Sequence, residues 1–473
     1  MKRAICLLLS LLLSALCAGC GAVGSGSKED TSQLTYYYTE EYPDLMVETI
    51  ERYNRWCNSH STKEMKIELI EFEDFRTMSE RLNIEVMSGG GPDLFSNYMD
   101  LPFEKLIENG AFYDLNALIE NDSSKDKLNL SLYNQTIMDA GVFDGKRYFI
   151  PTFYTVDTLT GEKNVFEKFN MPTEQGFHLT FENMKEVFSD YLKDPDGYRF
   201  ISEDIWNSGV SADTVALKLI SLGIDFETQT VSFDDSFKEK LEILKMLRAQ
   251  SKLSEENTDI FELYSEEPFL FNQFYAFSNP IWMERIQSIP EEISLEDLYL
   301  PDGVDSDDKI SEPVLYSCFE KDEDTYSAAV SDAVFVNAKT AKTQQALEFI
   351  KYLLGEHLQN LYAGTDEEYW SGGGSDALPV LSSALEYCFR DAHIVTDLYG
   401  SKVGMKEELN PTTKALTEYI KKINHVELYN DLSRSNYNKN IAIPILTDYW
   451  DGLIDVNKCA DRLSSATKIY LME

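Results

Sequence analysis

Between Leu34 and Phe95 the hydrophobic period of the chain switches repeatedly, and this alternation constrains the fold more than any other feature. Leu34-Thr35-Tyr36-Tyr37-Tyr38 is a β-prone run. Met46, Ile50, Tyr53 and Cys57 then recur at helical spacing. Lys66–Phe72 (KIELIEF) returns to the pattern of a half-buried strand. A further helix leads into Ser88-Gly89-Gly90-Gly91-Pro92-Asp93-Leu94-Phe95, a turn that enters a third strand. Strand, helix, strand, helix, turn, strand is the order of a doubly wound α/β domain.

Downstream the same reading continues. A helix over Phe103–Leu115 is expected to end at Asn109-Gly110, with the glycine as left-handed cap. Asp144-Gly145 makes a turn into a strand at Arg147–Thr152. Phe181 to Ala249 reads as mainly helical, with Leu241, Leu244 and Leu247 on one face. Residues 265–300 are aromatic and irregular, and Pro301–Glu312 is an acidic loop whose spacing fails the EF-hand pattern. Ala329–Asn337 is a strand. Ala346, Leu347, Ile350, Leu353, Leu354, Leu358 and Leu361 trace an amphipathic helix. After Ser371-Gly372-Gly373-Gly374 and Leu378-Pro379-Val380 the remainder reads as chiefly helical.

The first twenty residues say where the folded part works. Met1-Lys2-Arg3 is a basic start, Ala4–Ala18 is almost purely apolar, and Ala18-Gly19-Cys20 closes the stretch. That is the pattern of a secretory signal, and it is shorter than the roughly 20 residues a spanning helix needs. Its end resembles a bacterial lipobox, with Cys17 where leucine is usual. The expectation is a signal peptide over residues 1–19, lipidation of Cys20, and a small, polar tether through residue 33. The protein is then held on the extracytoplasmic face of the cell membrane by the lipid alone.

Charge removes several partners. The chain has 82 acidic against 42 basic residues, a net charge of −40, so it repels phosphate backbones and anionic lipid surfaces. Nucleic acid is excluded as a partner on this ground. Of seven cysteines, Cys6 and Cys17 leave with the leader; Cys57, Cys318, Cys388 and Cys459 have no paired spacing and read as buried thiols, though an exported chain permits bridges. The histidines (His60, His178, His357, His393, His425) form no metal-binding pair.

Several local patterns, in order over nearly the whole mature chain, resemble family 1 of the extracellular solute-binding proteins of ABC importers. They are Gly91-Pro92-Asp93-Leu94, then Glu108-Asn109-Gly110-Ala111-Phe112-Tyr113-Asp114-Leu115, then Asp144-Gly145-Lys146-Arg147-Tyr148-Phe149-Ile150-Pro151. Val334-Phe335-Val336-Asn337-Ala338-Lys339 runs into the helix at Ala346–Leu354, and Asp448-Tyr449-Trp450-Asp451-Gly452 precedes Cys459-Ala460 and Tyr470-Leu471-Met472-Glu473. The chain departs from the family at Thr180-Phe181-Glu182-Asn183 and Ser278-Asn279-Pro280-Ile281-Trp282, both in the part that helps to choose the ligand.

The resemblance implies an α/β, two-lobed, periplasmic-binding-protein-like (type II) fold with a hinge and an interlobe cleft. It places lobe I at 34–152 and 270–337, and lobe II at 153–269 and 338–473. It implies a monomer without cofactor or metal that captures a small solute, a sugar or oligosaccharide, and delivers it to ABC permease subunits. Ligands of open α/β sheets sit beyond the carboxyl ends of the strands. The ligand-binding candidates are therefore Tyr38, Glu41, Asn97, Phe153, Tyr154, Asp157, Trp282 and Trp370. A pyranose offers an apolar face to aromatic rings and hydroxyls to amides and carboxylates, and the chain has 27 Tyr, 26 Phe and 5 Trp to supply the rings.

Duller readings stand beside these. A single Tyr or Phe is more often core than contact, and Asp93 reads as a structural cap. The glycine runs at Ser88–Gly91 and Ser371–Gly374 lack the Lys-Ser or Lys-Thr of a phosphate loop. Adjacent acidic pairs such as Glu40/Glu41, Glu266/Glu267 and Glu367/Glu368 raise a surface glycosidase, but adjacent residues do not face one another across a site, and no GxSxG appears. A surface sensor with the same fold, uncoupled from transport, is the other alternative.

Overall fold

A computed structural model describes residues 33–41, 45–62, 65–97, 99, 101, 103–202, 210–225, 228–251, 268–272, 278–287, 312–361, 377–396, 402–427 and 437–472. The first segment follows the expected alternation. Strands β1 (Leu34–Tyr38) and β2 (Ile67–Glu71) pair in parallel, Leu34 opposite Ile67 and Tyr38 opposite Glu71. Helix α1 (Leu45–Ser59) crosses between them and buries Met46, Ile50, Tyr53 and Cys57, the four residues whose spacing predicts it. Helix α2 (Phe75–Met87) starts where Asp74 accepts the Thr77 N–H at 2.7 Å. It leads through the glycine turn to β3 (Leu94–Ser96).

Helix α3 (Phe103–Glu108) ends at the expected glycine cap, Gly110 (φ +66°), before a separate helix begins at Leu115. The Ala111 N–H donates to the Leu106 carbonyl across that cap at 2.9 Å. Asp144 and Gly145 both have positive φ (50° and 74°) and join a short hairpin, Val142–Phe143 against Lys146–Arg147. Two successive left-handed residues are what a tight two-residue hairpin turn needs, and Asp-Gly supplies them with little strain. The strand expected at Arg147–Thr152 runs as β4 (Phe149–Thr155).

After Val156 and Asp157 the chain enters a second body. Strand β5 (Thr158–Glu162) passes so close to a neighbouring strand that a Cβ on Gly161 would lie 2.4 Å from the Leu270 carbonyl oxygen, so only glycine fits. Strand β6 (Arg199–Ser202) interrupts the stretch expected to be helical. Helix α4 (Ala212–Leu222) begins with a Ser211/Thr214 capping box, and α5 (Asp235–Ala249) buries Leu241, Leu244 and Leu247 as expected. Strand β7 (Phe269–Asn272) pairs in parallel with β6.

Helix α6 (Pro280–Gln287) leaves this body and packs on the first, with Met283 in the first core and Ile281 against Cys388 and Ala392. The chain returns as β8 (Pro313–Ser317), antiparallel to β5. Phe166, Phe188, Phe200, Phe271, Tyr316 and Phe319 form the aromatic centre of the second core.

A second crossing, 318–326, leads to β9 (Ser327–Val336), the strand around which the first body is built. It pairs with β4, β3 and β11 (His425–Glu427), and β10 (Leu378–Pro379) closes the far edge beside β4. Helices α7 (Thr343–Leu353), α8 (Ser382–Asp391) and α9 (Pro411–Ile420) cover this sheet; the α7 ring of Phe349 lies 5.0 Å from Tyr53 of α1. The last described stretch returns to the second body as α10 (Ile443–Trp450) and α11 (Val456–Met472).

Two hydrophobic cores thus divide the described residues, and they draw the lobes differently from the sequence. Residues 34–156 with 327–420 share one core, joined by Met283 and Leu315; 159–271, Val314, Tyr316, Cys318, Phe319 and 437–470 share the other. The expected division gave 270–337 to lobe I and 338–473 to lobe II. In the structure β8 belongs to the second body and α7 to α9 belong to the first. Helical spacing reports that a face is buried, and nothing in it says against which body.

Cys57, Cys318, Cys388 and Cys459 are buried and unbridged. Among the described residues no helix is long and apolar enough to cross a membrane. The expected signal, Cys20 and the tether up to residue 32 lie outside the described residues.

Candidate functional site

Six of the eight expected ligand residues have described side chains: Tyr38, Glu41, Asn97, Phe153, Tyr154 and Asp157. Tyr38 ends β1, where burial and the nearby Glu71 and Glu40 carboxylates raise its phenol above the ordinary value. Glu41 is engaged by the next helix: its Oε2 accepts the Phe75 N–H at 2.9 Å, at the first turn of α2. A carboxylate there is favoured by the unsatisfied N–H groups and the helix dipole.

Asn97 is held by backbone. Its Nδ2 donates to the Ser331 carbonyl (2.9 Å) and its Oδ1 accepts the Ala333 N–H (2.8 Å). Those two bonds continue the β3–β9 pairing, in which Ser96 lies opposite Val334, by one side chain beyond β3. Phe153 and Tyr154 are core side chains, 2% and 0% exposed, because β4 is flanked by β9 on one side and β10 on the other. Expecting them to face the cleft overlooks that a strand crossing between lobes is also a central strand.

Asp157 is half-buried on the first crossing. Ser278 Oγ clamps the neighbouring Val156 there, donating to its carbonyl (3.0 Å) and accepting its N–H (3.1 Å). Trp282 lies in α6, its side chain outside the described residues, as is the whole of Trp370.

Asp93 is a structural tie, as its place in the Pro-Asp turn suggests. Its carboxylate accepts from Thr35 N and Oγ1 (3.0 Å each), Thr340 Oγ1 (2.6 Å) and Lys342 Nζ (3.0 Å). It thereby joins β1, the turn before β3 and the start of α7. Asn337 completes the same corner by donating to the carbonyls of Gly90 and Pro92 at 2.9 Å.

A gap of about 350 Å³ separates the bodies beside the crossings. Thr158, Gln175 and Tyr316 line it from the second body, and Tyr326, Lys414 and Tyr419 from the first. None of the six expected residues whose side chains are described lines it. Next to it the structure assembles a buried group that no spacing or motif marks: Lys218 of α4, Glu320 of the second crossing and Glu427 of β11. Each is under 8% exposed. They come from distant parts of the chain with no common spacing, so only the folded structure unites them.

Comparison with known proteins follows this geometry. No family model matches the chain. An arabinooligosaccharide-binding protein of Bacillus subtilis (strain 168) is 25% identical over 207 residues, which are 39% of this chain and 42% of that protein. The match therefore spans less than half the length of that relative. An ABC substrate-binding protein of Listeria monocytogenes, solved with cycloalternan, superposes with a TM-score of 0.57 at 13% identity, over 93% of this chain and 98% of that one. The sugar-binding protein MalE of Xanthomonas citri gives 0.56 at 12% identity, over 93% and 97%. At such identities the likeness is one of fold: this chain has the two-lobed α/β fold of those binding proteins.

Proposed function

We propose that the protein is an extracytoplasmic solute-binding protein that captures an oligosaccharide by lobe closure and delivers it to an ABC importer. The observation that carries this reading is the architecture: two separately cored bodies, joined by paired strands that pass from one to the other. Bodies joined only by such crossings rotate about them, and a ligand that prefers the closed arrangement shifts the population toward it. The ligands named for the similar proteins, arabinooligosaccharide and cycloalternan, support a sugar. These relatives are binding proteins, and no catalytic step enters the reading.

In this reading Tyr38, Asp157, Trp282 and Trp370 contact the ligand, with the rings covering a sugar face and the carboxylate accepting hydroxyls. Glu41 shapes the wall by fixing α2, while Asn97, Phe153 and Tyr154 support it from behind. Cleavage before Cys20 and lipidation there would hold the protein beside its permease, on a tether ending at residue 33.

The test is a thermal-shift screen of residues 21–473 against arabinooligosaccharides and cyclic glucans. A ligand at 100 times its dissociation constant adds about 2.7 kcal/mol to stability. Flat curves across all sugars, with a shift for peptides, would refute the sugar. Cys20→Ala with membrane fractionation tests the anchor: the variant is expected in the soluble fraction.

A further inference from the structure

Lys218 lies on α4 of the second body and is 4% exposed. Its ammonium pairs with Glu427 of the first body, stands 3.8 Å from Glu320, and donates to the Cys318 carbonyl at 2.8 Å. Glu320 is gripped in turn from the first body: Ser327 donates to it from Oγ (2.5 Å) and N (3.3 Å), and the Tyr419 hydroxyl of α9 donates as well. Asp157, on the first crossing, adds its charge to the field at Glu427. Glu427 is the last described residue of the first body before the chain resumes in the second at Tyr437. One cation of the second body thus meets a carboxylate of the second crossing and one at the end of β11.

We infer that Lys218, Glu320 and Glu427 form the pivot of lobe rotation, tying α4 of the second body to the second crossing and to the end of β11 at one buried point so that the lobes turn about it and do not part there. The inference rests on the lobe-closure reading above. Its physical basis is that drawing Lys218 away from Glu320 and Glu427 leaves an uncompensated buried charge, whereas rotation about the contact keeps the ammonium paired. Sliding apart is therefore the costly motion and turning the cheap one.

The tie carries one carboxylate more than its cation can neutralise, and Glu427 Oε2 is buried with no hydrogen-bond partner among the described residues. Burial first, then Glu320 and Asp157, push the Glu427 carboxyl up to about 7 against the opposing pull of Lys218. Burial lowers the Lys218 ammonium, but Glu427 and Glu320 outweigh it and the net direction is up. Burial also pushes the Cys318 thiol and the Tyr419 phenol well up, and pushes the His425 imidazole down. Lys321 and Asp322 act on His425 from the second crossing. Above neutral pH the tie consequently gains one negative charge and loosens.

The experiment places spin labels at exposed sites of the two bodies, Asn109→Cys and Lys458→Cys, and reads the interlobe distance without any ligand. Wild type should give a narrow distribution at pH 6 that widens at pH 8.5. Glu427→Gln should stay narrow at both values, and Lys218→Met/Glu427→Gln should be wide at both while still melting cooperatively. A double variant with the wild-type distribution at both pH values overturns the pivot. If the double variant fails to fold, Glu427→Gln decides alone: a pH response equal to wild type overturns the inference, and a flat one supports it. Because no sugar is added, failure of the sugar screen and failure of the pivot are separate results.

Discussion

Two lysine–carboxylate ties hold distant parts of this chain together, and they are built on opposite principles. At Asp93 one carboxylate receives four donors, one of them a lysine, all within the first body and partly open to water. At Lys218 one lysine serves two carboxylates from different bodies, almost wholly out of water. The first is a saturated corner with more donors than charge, suited to rigidity. The second has surplus charge and an acceptor left over, which suits a junction that must move and respond. Burial raises the stakes of each missing partner.

The comparison can be broken from its strongest end. Lys218→Met should cost about 3–5 kcal/mol, because it strands two buried carboxylates; urea unfolding measures it, and a loss below that of the Asp93 variant would invert the ranking. Asp93→Ala should cost about 2–3 kcal/mol, since the Thr35 N–H and two hydroxyls lose a charged acceptor while water can reach part of the site. The pH response should come only from the second tie. Glu427 has a folded value near 7 against an ordinary 4.5, so the stability it contributes is full below about 4.5 and is lost as pH rises through about 7. Unfolding curves at pH 5.5 and 8.5 should differ in wild type, and much less in Glu427→Gln. The smallest effect belongs to Lys342→Met, expected at about 0–1 kcal/mol, because that lysine is partly exposed and Asp93 keeps three other donors. A larger loss would show that the Asp93 corner depends on charge after all.

The first body was largely legible before folding. Met46, Ile50, Tyr53 and Cys57 mark α1 because a helix buries every third or fourth residue whatever it packs on. Asp144-Gly145 marks its hairpin, and Gly110 its helix cap, because few residues accept positive φ. Asp93 was legible for a related reason, since an aspartate after proline in a tight turn finds backbone and hydroxyl donors nearby. Phe153 and Tyr154 are core side chains, and the sequence could not say so because β-prone aromatic residues look the same on a central strand and at a cleft. Asn97 is held by backbone, which the sequence could not say either, because an amide can bind a sugar or a backbone with equal ease.

What the sequence determined by itself is local: the order of strands and helices, the turns with special backbone angles, the acidic character of the chain. These follow from side-chain periodicity and backbone sterics, which act over a few residues. Which body each element joins, that β8 belongs with β5 while α7 to α9 turn back to α1, was decided only when the two cores closed. The meeting of Lys218, Glu320 and Glu427 was decided in the same way. Burial and charge pairing depend on distances in space, and the chain holds no local trace of them.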